Sequence, residues 1–296
     1  MNPAHLLVLL VSLPLLLGGC GGEKKESVVA VKPVEEKQEV KEEAKPEEPV
    51  AETKPVEEVP LNPNLKYEIK DDEVTITDFN TRASGELIIP ASIEGKLVTS
   101  IGRKAFSDCY NLTSITIPDS VTSIGELAFA HSRMTSITIG NGVTSIGRYA
   151  FGYAGMISIT IGNSVTSIGE WAFSDCPNLT SITIPGSVTS IGGFAFNDCK
   201  SLTSITIGNG VTSIGRYAFQ YCYKLTSITI PASVLSLGKG AFEKCKELTA
   251  ATFLGDAPKA GGYIFPFDVT IYRKPEANGW SDTWGGRPVK LISQNP

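Results

Sequence analysis

The residues best equipped for chemistry recur at fixed spacing. Cys109, Cys176, Cys199, Cys222 and Cys245 each stand three residues after a phenylalanine. Thiols that hold zinc come in close pairs such as Cys-x-x-Cys, with further ligands nearby. No such pair occurs here, and beyond the leader the one histidine is His131. Five thiols cannot all pair as disulfides. Their register predicts a ladder of buried thiols serving as small apolar wedges, with a disulfide between neighbouring repeats as the other reading. His131 would have to act alone as the base for any serine nucleophile, with no Gly-x-Ser-x-Gly elbow to support it. Asp108, Asp175 and Asp198 occupy equivalent places in a repeated Ser/Asn-Asp-Cys loop. Asp175 and Asp198 could form a carboxylate pair or a calcium site, but solvated turn chemistry explains their repetition more simply. This inventory predicts a protein without catalytic, metal or cofactor chemistry.

What positions these residues is a repeat. Ala-Phe pairs end at Phe106, Phe129, Phe151, Phe173, Phe196, Phe219 and Phe242, at intervals of 22 or 23 residues. Each is preceded by Val-x-Ser-Ile-Gly or a near relative, which sets Gly102, Gly125, Gly147, Gly169, Gly192, Gly215 and Gly238 in register. Between copies lies Leu-Thr-Ser-Ile-Thr-Ile, as at Leu112–Ile117, Leu179–Ile184, Leu202–Ile207 and Leu225–Ile230. A period in the twenties with a Leu-x-x-Ile-x-Ile strand marks a leucine-rich repeat. One coil cannot bury its own apolar edge, so each Ile, Val, Leu and Phe must stack on its counterpart one turn away. The expected fold is an all-β-leaning solenoid of parallel strands, with short helical or 3₁₀ turns around each Ala-Phe and a cap at each end. Two copies lose a residue after the phenylalanine, where Met134 and Met156 take the leucine position.

The stretch Leu179–Cys199 follows Leu-x-x-Ile-x-Ile-Pro-x-Ser-Val-x-x-Ile-Gly-x-x-Ala-Phe-x-x-Cys at every stated position. It resembles the BspA-like, or Treponema pallidum-type, leucine-rich repeats of bacterial and some protist surface proteins. The likeness runs from about Tyr67 to Leu291, and it implies adhesion or protein–protein interaction at a cell surface. Residues 65–97 then read as an N-terminal cap and irregular first coil, 98–253 as the solenoid and 254–296 as a C-terminal cap.

Two outward ladders are candidate binding surfaces. Tyr149, Trp171, Phe194 and Tyr217 each directly precede the repeat alanine in four consecutive coils. At ~4.8 Å per coil they would form an aromatic stripe about 15 Å long, either an anchor for a protein or sugar partner or a cover for the core. Beside it run Arg103, Glu126, Arg148, Glu170, Gly193, Arg216 and Lys239, an alternation suited to ion pairs between coils. The other ladder is Thr116, Thr138, Thr160, Thr183, Thr206 and Thr229, with a serine two places before each. A hydroxyl array of this kind could bind a polysaccharide or ice, or be neutral filler on a β surface.

The N-terminal part is of another kind. The leucine-rich run Leu6–Leu17 is too short for a bilayer span at ~20 residues but fits a signal sequence, residues 1–19. It leads into Leu17-Gly18-Gly19-Cys20, which looks like a bacterial lipobox, with Cys20 the lipidated first residue of the mature chain. An ordinary signal peptide with Cys20 incidental is the alternative. Residues 20–64 read as a tether: Glu23–Pro60 holds twelve glutamates, seven lysines, five prolines and no aromatic residue. Such a segment buries too little apolar surface to offset chain entropy. Its balance of −5 equals that of the whole chain, so the repeat body is neutral and lacks the basic face that nucleic acid requires. The expected location is exported and lipid-anchored, at an outer membrane or the cell surface, with an unidentified protein or glycan as partner. Replacing the acceptor, Cys20→Ser, is expected to move the protein from the membrane fraction to the aqueous phase. Equal detergent partitioning of mutant and parent would refute lipidation.

Overall fold

The structure, a computed structural model, describes residues 59–292; the leader, Cys20 and the tether up to Glu58 lie outside the described residues. The repeats wind into a parallel β-solenoid of about nine turns. Each coil has two strand edges and one turn edge. The Ser-Ile pairs of successive coils build one continuous 11-stranded sheet, from the hairpin Leu65–Lys70 and Glu73–Phe79 to Lys259–Ala260. Its neighbours meet in strict register, Ser167 beside Ser145 and Ser190, because every coil repeats the same alternation. The Leu-x-x-Ile-x-Ile strands form the second edge. Their hydrogen bonding breaks between Ser158–Thr160 and Ser181–Ile184, and again between Ser204–Ile207 and Ser227–Ile230. The first break falls where 22-residue coils give way to 23-residue ones. At the C-terminal end Thr270–Arg273 and Arg287–Leu291 extend the same edge in parallel, and Thr283–Trp284 folds back antiparallel.

The core is a set of ladders. Ile115, Ile137 and Ile159 face each other across parallel strands, as do Ile182 and Ile205. At the turn edge Phe79, Phe106, Phe129, Phe151, Phe173, Phe196, Phe219, Phe242 and Phe265 form one unbroken stack. Centroid separations are 5.0–5.2 Å after a first step of 5.5 Å. All of these rings are buried, and the seven between Phe79 and Phe265 each have a ring on both sides. Aromatic pairs in offset-stacked geometry are worth ~1 kcal/mol beyond the area they bury.

The turns around Ala-Phe correct the sequence expectation: among the described residues there is no helix. The reason lies in where the amides go. In the coil Tyr149–Tyr153, the amides of Tyr149, Phe151 and Tyr153 donate to Glu170, Ala172 and Ser174 of the next coil. The alternate amides of Ala150 and Gly152 close tight turns onto Gly147 and Tyr149. Only half the amides turn back locally, so no helix propagates. The alternation also places the residue before each alanine, and the one four places later, in the left-handed region.

The repeat glycine after Ser-Ile has a packing cause. A Cβ on Gly192 would sit 2.6 Å from the Glu170 amide nitrogen of the preceding coil. Gly186, by contrast, has open space around it. Gly192→Ala is therefore expected to cost ~2 kcal/mol by overpacking, whereas Gly186→Ala should stay within ~0.5 kcal/mol. Thermal or urea unfolding of the two variants checks this; equal stabilities would remove the steric explanation.

Candidate functional site

The aromatic row is continuous in space. Tyr149 stacks on Trp171 at 5.4 Å, Trp171 on Phe194 at 3.9 Å and Phe194 on Tyr217 at 5.0 Å. All four rings are half-buried, and all four residues have positive φ, between 53° and 60°. A bulky side chain rarely adopts that backbone, at a cost of roughly 1–2 kcal/mol. Here the cost is set by the fold, since Lys104 and Leu127 adopt it at the same place in their coils. The row ends at Gly240, where Tyr217's ring closes over the position a side chain would occupy.

Charged residues flank the rings. The Arg148 guanidinium lies 5.0 Å from the Tyr149 ring centre, and that of Arg216 lies 5.5 Å from Phe194's. The expected ion pairs form: Glu126 meets Arg103 at 3.5 Å and Arg148 at 3.9 Å. Arg216 reaches past Gly193 to Glu170, two coils away, at 3.8 Å. Exposed pairs of this kind add ~0.5 kcal/mol at most and mainly fix where the guanidinium groups stand. The row thus presents ring edges, two phenol hydroxyls and positioned arginines. Ring faces, which a sugar would stack on, are largely taken by neighbouring rings.

The six threonines Thr116, Thr138, Thr160, Thr183, Thr206 and Thr229 all point into solvent. They do not make one flat lattice. The two breaks in strand pairing divide them into Thr116–Thr138–Thr160, Thr183–Thr206, and Thr229 with the strands after it. Shallow clefts of about 310 and 280 Å³ open at the breaks. A separate threonine row is structural: Thr144, Thr166, Thr189 and Thr212 each donate their hydroxyl to the preceding coil's threonine carbonyl.

The five repeat cysteines are buried and unpaired. The thiols of Cys176, Cys199, Cys222 and Cys245 donate to the carbonyls of Phe151, Phe173, Phe196 and Phe219 at 3.1–3.4 Å. Burial pushes the Cys109 thiol up to about 11, with Asp78 and Asp108 adding to the effect. Burial, reinforced by the adjoining thiols Cys176 and Cys245, raises Cys199 and Cys222 well above the ordinary value. These groups therefore stay protonated at neutral pH and are poor nucleophiles. The aspartates are brought side by side, as their register implies. Burial raises the Asp175 carboxyl and Asp198 adds to it, while a hydrogen bond from Ser174 opposes. Lys200 pairs with Asp198 at 3.1 Å. Among the described residues no cluster of three or more His, Cys, Asp or Glu is placed to hold a metal. His131 stacks flat on Tyr153 at 4.7 Å instead of facing a serine nucleophile.

Sequence reasoning missed the second left-handed row, Asp108, His131, Tyr153, Asp175, Asp198, Tyr221 and Lys244. The signal was present, since each lies two residues after a repeat phenylalanine. It also missed what the two short coils do together: they lower the loop edge between Tyr110 and Pro177 and leave a notch of about 480 Å³.

A parallel β-solenoid whose coils repeat Leu-x-x-Ile-x-Ile and stack a phenylalanine per turn is a leucine-rich-repeat protein. The BspA type leucine rich repeat region matches in six copies over residues 85–185 and 144–270, and the chain belongs to that family. Two solved structures are similar. A leucine rich cell surface protein from Faecalibacterium prausnitzii A2-165 is 27% identical, with a TM-score of 0.58 over 72% of this chain and 70% of that one. The T. pallidum leucine rich repeat protein is 28% identical, with a TM-score of 0.50 over 71% of this chain and 91% of that one. No curated protein matches this chain.

At pH 8 the folded protein is expected to leave all five repeat cysteines unmodified by iodoacetamide. Denaturation without reductant should expose all five to labelling. Peptide mass spectrometry decides: a disulfide joining Cys176 and Cys199, or fast native labelling of any of the five, would overturn the buried-thiol ladder.

Proposed function

We propose that this protein is an exported, lipid-anchored cell-surface binding protein, without catalytic activity, that engages a protein partner through the Tyr149–Trp171–Phe194–Tyr217 row. The observation that carries this reading is a solvent-accessible aromatic row, continuous over four coils and flanked by Arg148 and Arg216. Tyr, Trp and Arg are the residues most enriched among the few that dominate protein–protein binding energy. Rings already stacked on one another and held by a rigid turn lose little entropy when a partner docks. With their faces taken, they suit the edge-on packing of protein side chains better than stacking on a sugar ring. A cell-surface setting is supported by the F. prausnitzii relative, which is described as a cell surface protein. Cys20 and the tether give the anchor and reach such a setting needs.

The structure suggests a clean substitution. Trp171 has φ 60°, a backbone that glycine adopts without strain, and Gly240 fills the equivalent place in its own coil. Trp171→Gly is therefore expected to weaken binding to solubilised surface proteins by ~2 kcal/mol, about thirtyfold, with a melting temperature close to the parent's. Thr206→Lys on the strand face should leave binding unchanged. If Trp171→Gly binds normally and Thr206→Lys does not, the hydroxyl face is the site and the aromatic row a cover for the core. If Trp171→Gly merely lowers the melting temperature, the row is structural.

A further inference from the structure

We propose that the notch left by the two 22-residue coils is a binding site for a carboxylate-bearing pyranose, the acidic residue of a surface glycan. This is separate from the aromatic row and does not rest on it.

The notch follows from the loss of one residue in each of two successive coils. In the flanking coils two residues separate the cysteine position from the next core leucine: Tyr110-Asn111 on one side and Pro177-Asn178 on the other. In the short coils only Arg133 and Gly155 fill that place. The loop edge therefore drops over two coils, and the walls stand about 15 Å apart at ~4.8 Å per coil. The volume, about 480 Å³, is within the range of small-ligand sites.

Its lining is unlike the rest of the solenoid surface. The apolar part comes from Tyr110, Tyr153, Ile157 and Pro177, with Ile157 50% exposed and Tyr153 46% exposed. Tyr153 stacks on His131 on one side. Tyr149 lies parallel to it with centroids 6.4 Å apart, and the next residue in its own row, Asp175, carries no ring, so part of Tyr153 stays open to solvent. That exposed aromatic surface is what the C–H face of a sugar needs. Arg133 stands at the wall with its guanidinium 5.4 Å from the Tyr110 ring centre, exposed and free to form a two-pronged bond to a carboxylate. The lining contains one arginine, one histidine and no carboxylate. Both carboxylates beside it are engaged, Asp108 by Ser107 and Tyr110 and Asp175 by Ser174.

A second observation is independent of the shape. Ser132 takes the place that Cys109 holds in the preceding coil and Ala154 in the next, and it lines the notch. It is 1% exposed, and its hydroxyl has no hydrogen-bond partner. Buried hydroxyls are rarely left so, because each unsatisfied one costs free energy. Asn178 donates its amide to Gly155, which leaves its side-chain oxygen to accept. A pyranose offers what this set lacks: hydroxyls for Ser132 and Asn178, a C–H face for Tyr153 and a carboxylate for Arg133.

The test is isothermal titration and saturation-transfer NMR on the full-length protein. The probes are a sialyl trisaccharide, a glucuronic-acid oligosaccharide, neutral lactose, and a short peptide ending in a free carboxylate. One or both acidic sugars should bind at millimolar concentration or better, and comparing them identifies the acid. Lactose and the peptide should bind at least about tenfold more weakly. Arg133→Gln should reduce affinity for the acidic sugar about tenfold. Tyr153→Asp should abolish it without loss of fold, because Asp108, Asp175 and Asp198 occupy the same left-handed position in their own coils. The proposal fails if neither acidic sugar binds, if lactose or the peptide binds as well, or if both variants retain parental affinity.

Discussion

The stack of phenylalanine rings is the constraint on which the rest depends. Parallel strands set coils ~4.8 Å apart, and stacked rings are comfortable at about the same distance. The observed 5.0–5.2 Å lets one period satisfy both edges of the coil. Everything else is placed relative to that stack. The thiols follow three residues later and bond to phenylalanine carbonyls, while the phenylalanine's own amide and that of the residue two before it reach the next coil. The two left-handed positions flanking Ala-Phe are the outward expression of this bonding. Their side chains lie in straight rows because the backbone beneath them repeats without variation.

The rows show how a rigid scaffold separates the backbone of a turn from the side chains it carries. At the position before alanine the backbone accepts Lys104, Leu127, Tyr149, Trp171, Phe194, Tyr217 or Gly240 with one φ near 60°. Since backbone bonding between coils makes the turn, the side chain there is free to vary without disturbing it. The core positions have no such freedom, because a ring or methyl lost from one coil removes a contact from both neighbours.

Much of this was legible in the sequence. The period, the strand edge and the buried thiols follow from the register of Phe, Ile and Cys, since residues one period apart must touch. The aromatic row and its ion pairs were legible for the same reason. The turn conformation was not: Tyr149 and Trp171 are among the last residues that propensity would place in the left-handed region, and bonding to the next coil overrides it. The breaks in the threonine face were also hidden, because Thr160 and Thr183 sit in motifs as regular as any other. The notch was half visible. Met134 and Met156 mark the shortened coils, but only the fold shows that the two deletions add up to a single depression.

The hydrogen bonds along the Ala-Phe edge carry a further consequence. At each Ala-Phe turn the amides of the phenylalanine and of the residue two before it donate toward the next coil, whereas on the strand edges those of Thr144, Gly147, Thr166 and Gly169 donate back to the preceding one. Along the Ala-Phe edge the peptide groups that bridge the coils share one direction, as they do in a helix. The polarity therefore belongs to one edge of the coil and is opposed by the strand edges, so the Ala-Phe face and the strand faces of the solenoid differ in the direction of their peptide dipoles.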